Sequence, residues 1–155
     1  MLDKTEDGIV YLSYDNLDWG CRMLATQLFR DKAEFDCILA VTGDGLFVGH
    51  ILSRFLKIDE VWTVGVEKKG KERLFSFIPN PLFFSTKRVL IVDMTCETGE
   101  TFKTISAFLE KGRPENIKTA VLYSSAFLQG RHVDYVFEFL TGKMSTFIFP
   151  WTKRE

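Results

Sequence analysis

Residues 35–41, 61–66, 88–93 and 117–123 read as strands, and three of the four are almost wholly apolar. A short strand without polar alternation must be buried on both faces. That condition is met in a parallel sheet covered by helices. Helical segments alternate with these runs, so the spacing predicts a single-domain α/β fold, a parallel sheet flanked by helices. Ligands of such sheets bind beyond the carboxyl ends of the strands. The loops at 42–45, 67–72, 94–99 and 124–131 are therefore expected to share one rim.

The remaining elements follow from local signals. Ser13 is placed to cap a helix reaching Arg30, with Leu17, Cys21, Leu24 and Leu28 on one face. A second helix follows 42–45 to about Lys57, with Leu46, Ile51, Leu52, Phe55 and Leu56 inward. A third runs over 99–111, with Phe102, Ile105, Phe108 and Leu109 inward and Gly112 as its stop. Residues 67–72 read as a polar, lysine-rich loop, and 74–78 as a short strand. Short strands at 134–139 and 146–149 are expected to form a small C-terminal β hood. One domain over 9–155 is expected, with residues 1–8 frayed.

The totals exclude several functions. A length of 155 residues suits one domain. A net charge of −1 argues against binding a nucleic-acid polymer through bulk charge. No apolar run reaches the roughly 18–20 residues of a membrane span, and residues 1–8 are too polar for a signal peptide. Cys21, Cys37 and Cys96 form neither an even set nor a metal-ligand spacing, which fits a reducing, cytoplasmic setting. Fifteen phenylalanines and the apolar stretch 78–84 suggest a subunit contact.

The chemistry concentrates at 93–101, Asp-Met-Thr-Cys-Glu-Thr-Gly-Glu-Thr, which follows a buried strand and opens a helix. Thr98, Gly99 and Thr101 would present free amides and two hydroxyls at a helix N-terminus, where a phosphate fits by hydrogen bonding and by the helix dipole. An ordinary N-cap with acids in the first turn is the plainer account of the same residues. A second glycine cluster, Gly43, Gly45 and Gly49, also follows a strand, but its spacing is one residue off the dinucleotide fingerprint. Cys96, just before a helix N-terminus, is either an incidental loop thiol or one with a lowered pKa.

The run from Val89 to Thr101 resembles the signature of type I phosphoribosyltransferases: an apolar strand, acids, then an acid followed by Thr-Gly-x-Thr. Tyr11 to Tyr14, Ile38 to Val41, the Gly-containing turn, the Asp134-Tyr135 pair and Phe149-Pro-Trp151 resemble the xanthine/guanine purine subgroup. The resemblance implies attack of a nucleobase on C1 of phosphoribosyl pyrophosphate (PRPP), with Mg²⁺, releasing pyrophosphate. It further implies a homodimer. Thr98, Gly99, Glu100 and Thr101 would cradle the 5′-phosphate. Asp93 would bind a ribose hydroxyl or the metal shell, and Glu97 would face the base nitrogen. Thr42, Gly43, Asp44 and Gly45 would form the pyrophosphate loop. Lys68, Lys69 and Lys71 would lie in a mobile lid and offset pyrophosphate charge. Ser125 and Phe147 would meet the base.

Several departures surround that pocket. Met94 replaces the family's second acid, so Met94→Asp is expected to strengthen PRPP binding. Asp44 and Gly43 replace a glycine and a basic residue. Ser124-Ser125 stand where the subgroup has a lysine, and Thr146 where it has a tryptophan. Two hypotheses follow: a purine-type phosphoribosyltransferase with an unusual base, or a catalytically weak relative that binds a nucleoside monophosphate and acts as a binding or regulatory module.

Overall fold

The apolar strands do assemble into one sheet. The computed structural model describes residues 9–125, 133–140 and 146–152. In chain order the elements are β1 (Ile9–Tyr11), α1 (Tyr14–Arg30), β2 (Cys37–Val41), α2 (Gly45–Leu56), β3 (Val61–Lys69), β4 (Glu72–Phe77), β5 (Arg88–Cys96), α3 (Glu100–Leu109), β6 (Asn116–Ser125), β7 (Tyr135–Leu140) and β8 (Thr146–Ile148). Six strands form the main sheet in the order β4-β3-β2-β5-β6-β7, parallel except for the β3–β4 pair. The expected frayed residues 1–8 lie outside the described residues.

Period-two alternation splits the core. Ile38, Ala40, Leu90, Val92, Met94, Ala120 and Leu122 pack on one face with α1 and α2. Leu39, Val41, Val89, Ile91 and Val121 pack on the other with α3 residues Phe102, Ile105 and Leu109. Each fully buried Leu, Ile or Val side chain contributes about 1.5–3 kcal/mol relative to exposure. The helices following β2 and β5 thus leave to opposite sides of the sheet. From β2 the strand order proceeds outward to β3, and from β5 it proceeds the other way to β6. The crevice between the carboxyl ends of β2 and β5 is the topological switch point, where ligands of open α/β sheets bind.

Ser13 caps α1 as expected: its hydroxyl accepts the Asn16 N–H at 3.1 Å, and the Asn16 side chain accepts the Ser13 N–H at 2.8 Å. Leu17, Cys21, Leu24 and Leu28 are buried. In α2 the buried face is Gly45, Val48, Gly49, Leu52 and Ser53, while Leu46, expected inward, is 41% exposed. The first turn sets that phase: position 46 lies about 100° around the helix from position 45. Helix α3 ends at Leu109 rather than at 111, and Arg113, not Gly112, takes the left-handed conformation, with φ 55°.

Two further differences matter for the site. Residues 67–72 are not a loop. β3 continues to Lys69 and returns antiparallel through β4, with Lys68 opposite Arg73 and Lys69 opposite Glu72. The expected C-terminal hood is also assembled differently. β7 joins the main sheet beside β6. β8 pairs in parallel with β1, so the small sheet uses both ends of the chain.

Candidate functional site

β5 runs past Asp93 to Cys96, held by register pairs Asp93↔Val121, Thr95↔Tyr123 and Cys96↔Ser124. The chain then turns through Glu97, Thr98 and Gly99 into α3. Gly99 sits at φ 81°, a left-handed conformation that glycine adopts without the steric cost of a side chain. The N-cap residue of α3 is Gly99 itself, which has no side chain to cap the helix. In its first turn the Glu100 N–H reaches the Thr98 hydroxyl at 3.3 Å, and the Lys103 N–H bonds the Gly99 carbonyl at 3.0 Å. The Thr101 and Phe102 amides take no partner among the described residues. These amides carry the positive end of the helix dipole. They border a cavity of about 220 Å³ lined by Lys68, Arg73, Asp93, Thr95, Glu97, Thr98, Gly99 and Thr101, among others.

Asp93 forms one wall of this cavity. Its carboxylate accepts the Met94 N–H at 2.7 Å. Burial pushes its pKa up to about 7; the Met94 amide pulls it down and the charge of Asp44 pushes it up further. A raised carboxyl pKa in a cleft is a mark of functional sites. Asp44 belongs to the turn after β2, which abuts Asp93 directly. A Cβ on Gly45 would lie 3.0 Å from an Asp93 carboxylate oxygen and 3.1 Å from the Val92 carbonyl, so any side chain there would require the turn or Asp93 to give by a few tenths of an ångström. Thr42 donates its N–H to Val64 O at 2.8 Å, while Gly43, at φ 89°, is exposed, with nothing within 4 Å of where a Cβ would stand. The Asp44 carboxylate accepts the Trp151 indole N–H at 2.9 Å, and the Trp151 ring stacks on Phe47 at 4.1 Å. Asp44 therefore ties the turn to the C-terminal segment.

The fold brings Lys68, Asp93, Glu97, Thr98, Gly99 and Thr101 to one cavity. Thr42 to Gly45 stand beside it, across Asp93. The Glu100 side chain is exposed and lines no part of the cavity, and neither do Lys69 and Lys71. The ribbon explains this: alternate residues face opposite sides, so Lys68 and Arg73 share a face that Lys69 does not. Arg73 escaped the sequence reading. Its Nε donates to the Thr101 hydroxyl at 3.3 Å. Only the register of the ribbon could have revealed it.

The residues expected to meet the base lie on β6 and β8 and do not line this cavity. Ser124 is fully buried, its hydroxyl donating to Cys96 O at 3.3 Å, and Ser125 is buried beside it at the end of β6. Phe147, in β8, is half-buried, with its ring 5.4 Å from Tyr123 and 6.0 Å from Phe149. Asp134 accepts the Thr119 N–H at 2.8 Å and pins the start of β7 to β6. Met94 is 1% exposed in the α1/α2 core, on the sheet face opposite α3. The Cys96 thiol is buried, and burial pushes its pKa up to about 11, which favours the incidental loop thiol over one with a lowered pKa. Gly49, the third glycine of the dinucleotide-like pattern, is a packing residue in α2: its Cβ would lie 2.7 Å from that of Ala40.

The family model for the phosphoribosyl transferase domain matches residues 13–152. A purine phosphoribosyltransferase from Pyrococcus horikoshii is 26% identical, with 96% of this chain and 97% of that chain covered and a TM-score of 0.78. A hypothetical protein from Neisseria gonorrhoeae with bound ppGpp is 19% identical, covers 94% of this chain and 89% of its own, and has a TM-score of 0.79. The Helicobacter pylori xanthine-guanine-hypoxanthine phosphoribosyltransferase is 18% identical over 92% of this chain and 91% of its own, with a TM-score of 0.72. No curated protein matches the chain by sequence. The matched span takes in both turns that meet at the switch point, the one after β2 and the one after β5, and the chain belongs to the phosphoribosyltransferase family.

Proposed function

We propose that this protein transfers phosphoribose from PRPP to a purine-like nucleobase. The base nitrogen attacks C1, the bond from C1 to the pyrophosphate oxygen breaks, and pyrophosphate leaves. The carrying observation is the α3 N-terminus: two amides without a partner among the described residues border a cavity that also holds Lys68, Arg73 and Asp93. A 5′-phosphate there would take those amides and the Thr98 and Thr101 hydroxyls. Glu97, exposed on the cavity wall, would face the base nitrogen and receive its proton. Fixed charges around a cationic sugar supply the catalysis by positioning and electrostatics.

Mg²⁺ fits this donor set as a substrate-borne ion. Among the described residues no three His, Cys, Asp or Glu side chains cluster as a closed metal site. Mg²⁺ is commonly held by one or two carboxylates plus substrate phosphates. Asp93 supplies such a carboxylate, and the repulsion from Asp44 beside it makes a cation favourable there. The ion would offset pyrophosphate charge. Asp93 would hold it or a ribose hydroxyl, with Thr42 to Gly45 offering backbone to the leaving group.

Met94 favours a second reading, in which the chain binds a nucleotide with little turnover, because the position of the family's second acid faces the core. Incubation with PRPP, Mg²⁺ and a panel of bases, read as pyrophosphate release, separates the two. Release with any base supports transfer; binding of a nucleoside monophosphate or ppGpp with no release across the panel supports the second reading. The exposed Leu82 and Phe83 fit the homodimer expected from residues 78–84.

A further inference from the structure

The β3–β4 ribbon directs its cations to one end of the cavity. Lys68 and Arg73 form a single rung of the ribbon and line the cavity together with Thr98, Gly99 and Thr101. Arg73 already reaches the Thr101 hydroxyl. The turn at 42–45 contributes no lining residue to that cavity and meets Asp93 from the other side. Among the described residues neither cation is in an ion pair. A neutral hydroxyl is a weak partner for a guanidinium, whose planar fork matches a phosphate.

We propose that Arg73, with Lys68 beside it, is a ligand of the 5′-phosphate and not of the pyrophosphate. The inference rests on the transfer reading above and assigns the ribbon's charge within it. The sequence alone placed the lid lysines on the leaving group. The rung instead sits over the α3 N-terminus, so the ribbon grips the sugar end shared by PRPP and the nucleotide product. Pyrophosphate charge is then left to Mg²⁺ and the turn after β2.

Calorimetry on the whole chain tests this with three probes: PRPP with Mg²⁺, ribose 5-phosphate, and pyrophosphate with Mg²⁺. Arg73→Met is expected to weaken PRPP and ribose 5-phosphate alike, by about tenfold to a hundredfold, the worth of a hydrogen bond to a charged group. Pyrophosphate affinity should change less than about twofold, and Arg73→Lys should recover part of the loss. Lys68→Met, at an exposed position, should give the same partition with a smaller loss, and serves if Arg73→Met does not fold. Weakened pyrophosphate binding with ribose 5-phosphate unchanged would overturn the assignment, as would no change with any probe. Wild-type protein that binds none of the three sinks the transfer reading as well; wild-type binding with unaffected variants sinks this assignment alone.

Discussion

Met94→Asp sets the family pattern against the packing. By pattern, the substitution restores a missing acid and should tighten PRPP binding. The structure predicts the reverse. Met94 is 1% exposed and belongs to the cluster of Leu90, Val92 and the inner faces of α1 and α2. Truncating a buried methionine costs about 2–5 kcal/mol. Placing a carboxyl there without a partner adds about 1–3 kcal/mol even when it stays protonated. The sum is at least about 3 kcal/mol, against a total stability of about 5–15 kcal/mol for a domain. With a urea slope of about 1–3 kcal/mol/M, the midpoint should fall by about 1–3 M. The fall should be larger at pH 8 than at pH 5, because burial raises the new carboxyl's pKa and ionisation then costs more. Met94→Leu, which conserves volume, should cost less than about 1.5 kcal/mol. Urea unfolding followed by tryptophan fluorescence, with PRPP titration of the folded fraction, decides the matter. A variant as stable as wild type that binds PRPP more tightly would show that residue 94 faces the site.

Gly99→Gln should abolish binding of ribose 5-phosphate and PRPP while costing about 1–3 kcal/mol of stability, since a side chain at φ 81° is strained; unchanged affinity would mean that the cradle lies elsewhere. Asp93→Asn tests the buried carboxyl in metal-free protein. The native carboxyl holds its proton to about pH 7 while the unfolded chain releases it near pH 4, so wild-type stability falls as pH rises through that window. The Asn variant should lack that slope and exceed wild type at pH 8 by about 2 kcal/mol, half the full linkage value because the residue is not fully buried; parallel pH profiles would refute it. Asp44→Asn should move the foot of the same slope to lower pH by removing the neighbouring charge. Trp151→Phe keeps the stack on Phe47 but loses the indole N–H to Asp44, and should cost about 1 kcal/mol in urea unfolding.

The legible parts of this chain were those with local causes. The strands β2, β5 and β6 announced themselves as apolar runs, Ser13 as a cap, and 93–101 as a strand–loop–helix, because burial and capping leave marks within a few residues. The β3–β4 ribbon left none. Glu67, Lys68, Lys69 and Glu72 are all exposed, so no alternation separates a strand from a loop. Arg73 was hidden with it, because its direction depends on register and not on composition. The β1–β8 pair joins opposite ends of the chain, which no local pattern encodes. Met94 was readable in principle. Once β5 is allowed to continue to Cys96, positions 90, 92 and 94 share a face, and that face is core.

The departures from the family pattern look like damage when read as a row of letters. In space, two of them have structural duties of their own. Met94 fills the α1/α2 core. Asp44 holds Trp151, and through its stack on Phe47 that ring fixes the C-terminal segment against α2. Neither displaces Asp93 or Glu97 from the cavity wall. The cost of keeping Asp44 falls on Asp93, whose carboxyl it pushes toward protonation. A proton there at neutral pH would compete with a cation, so binding of PRPP with Mg²⁺ should weaken as pH drops below about 7, by up to tenfold per unit for one displaced proton. Asp44→Asn should relieve that competition and flatten the dependence. A pH-independent affinity between pH 5.5 and 8, in wild type and variant alike, would separate Asp93 from the metal and leave the two acids as packing neighbours only.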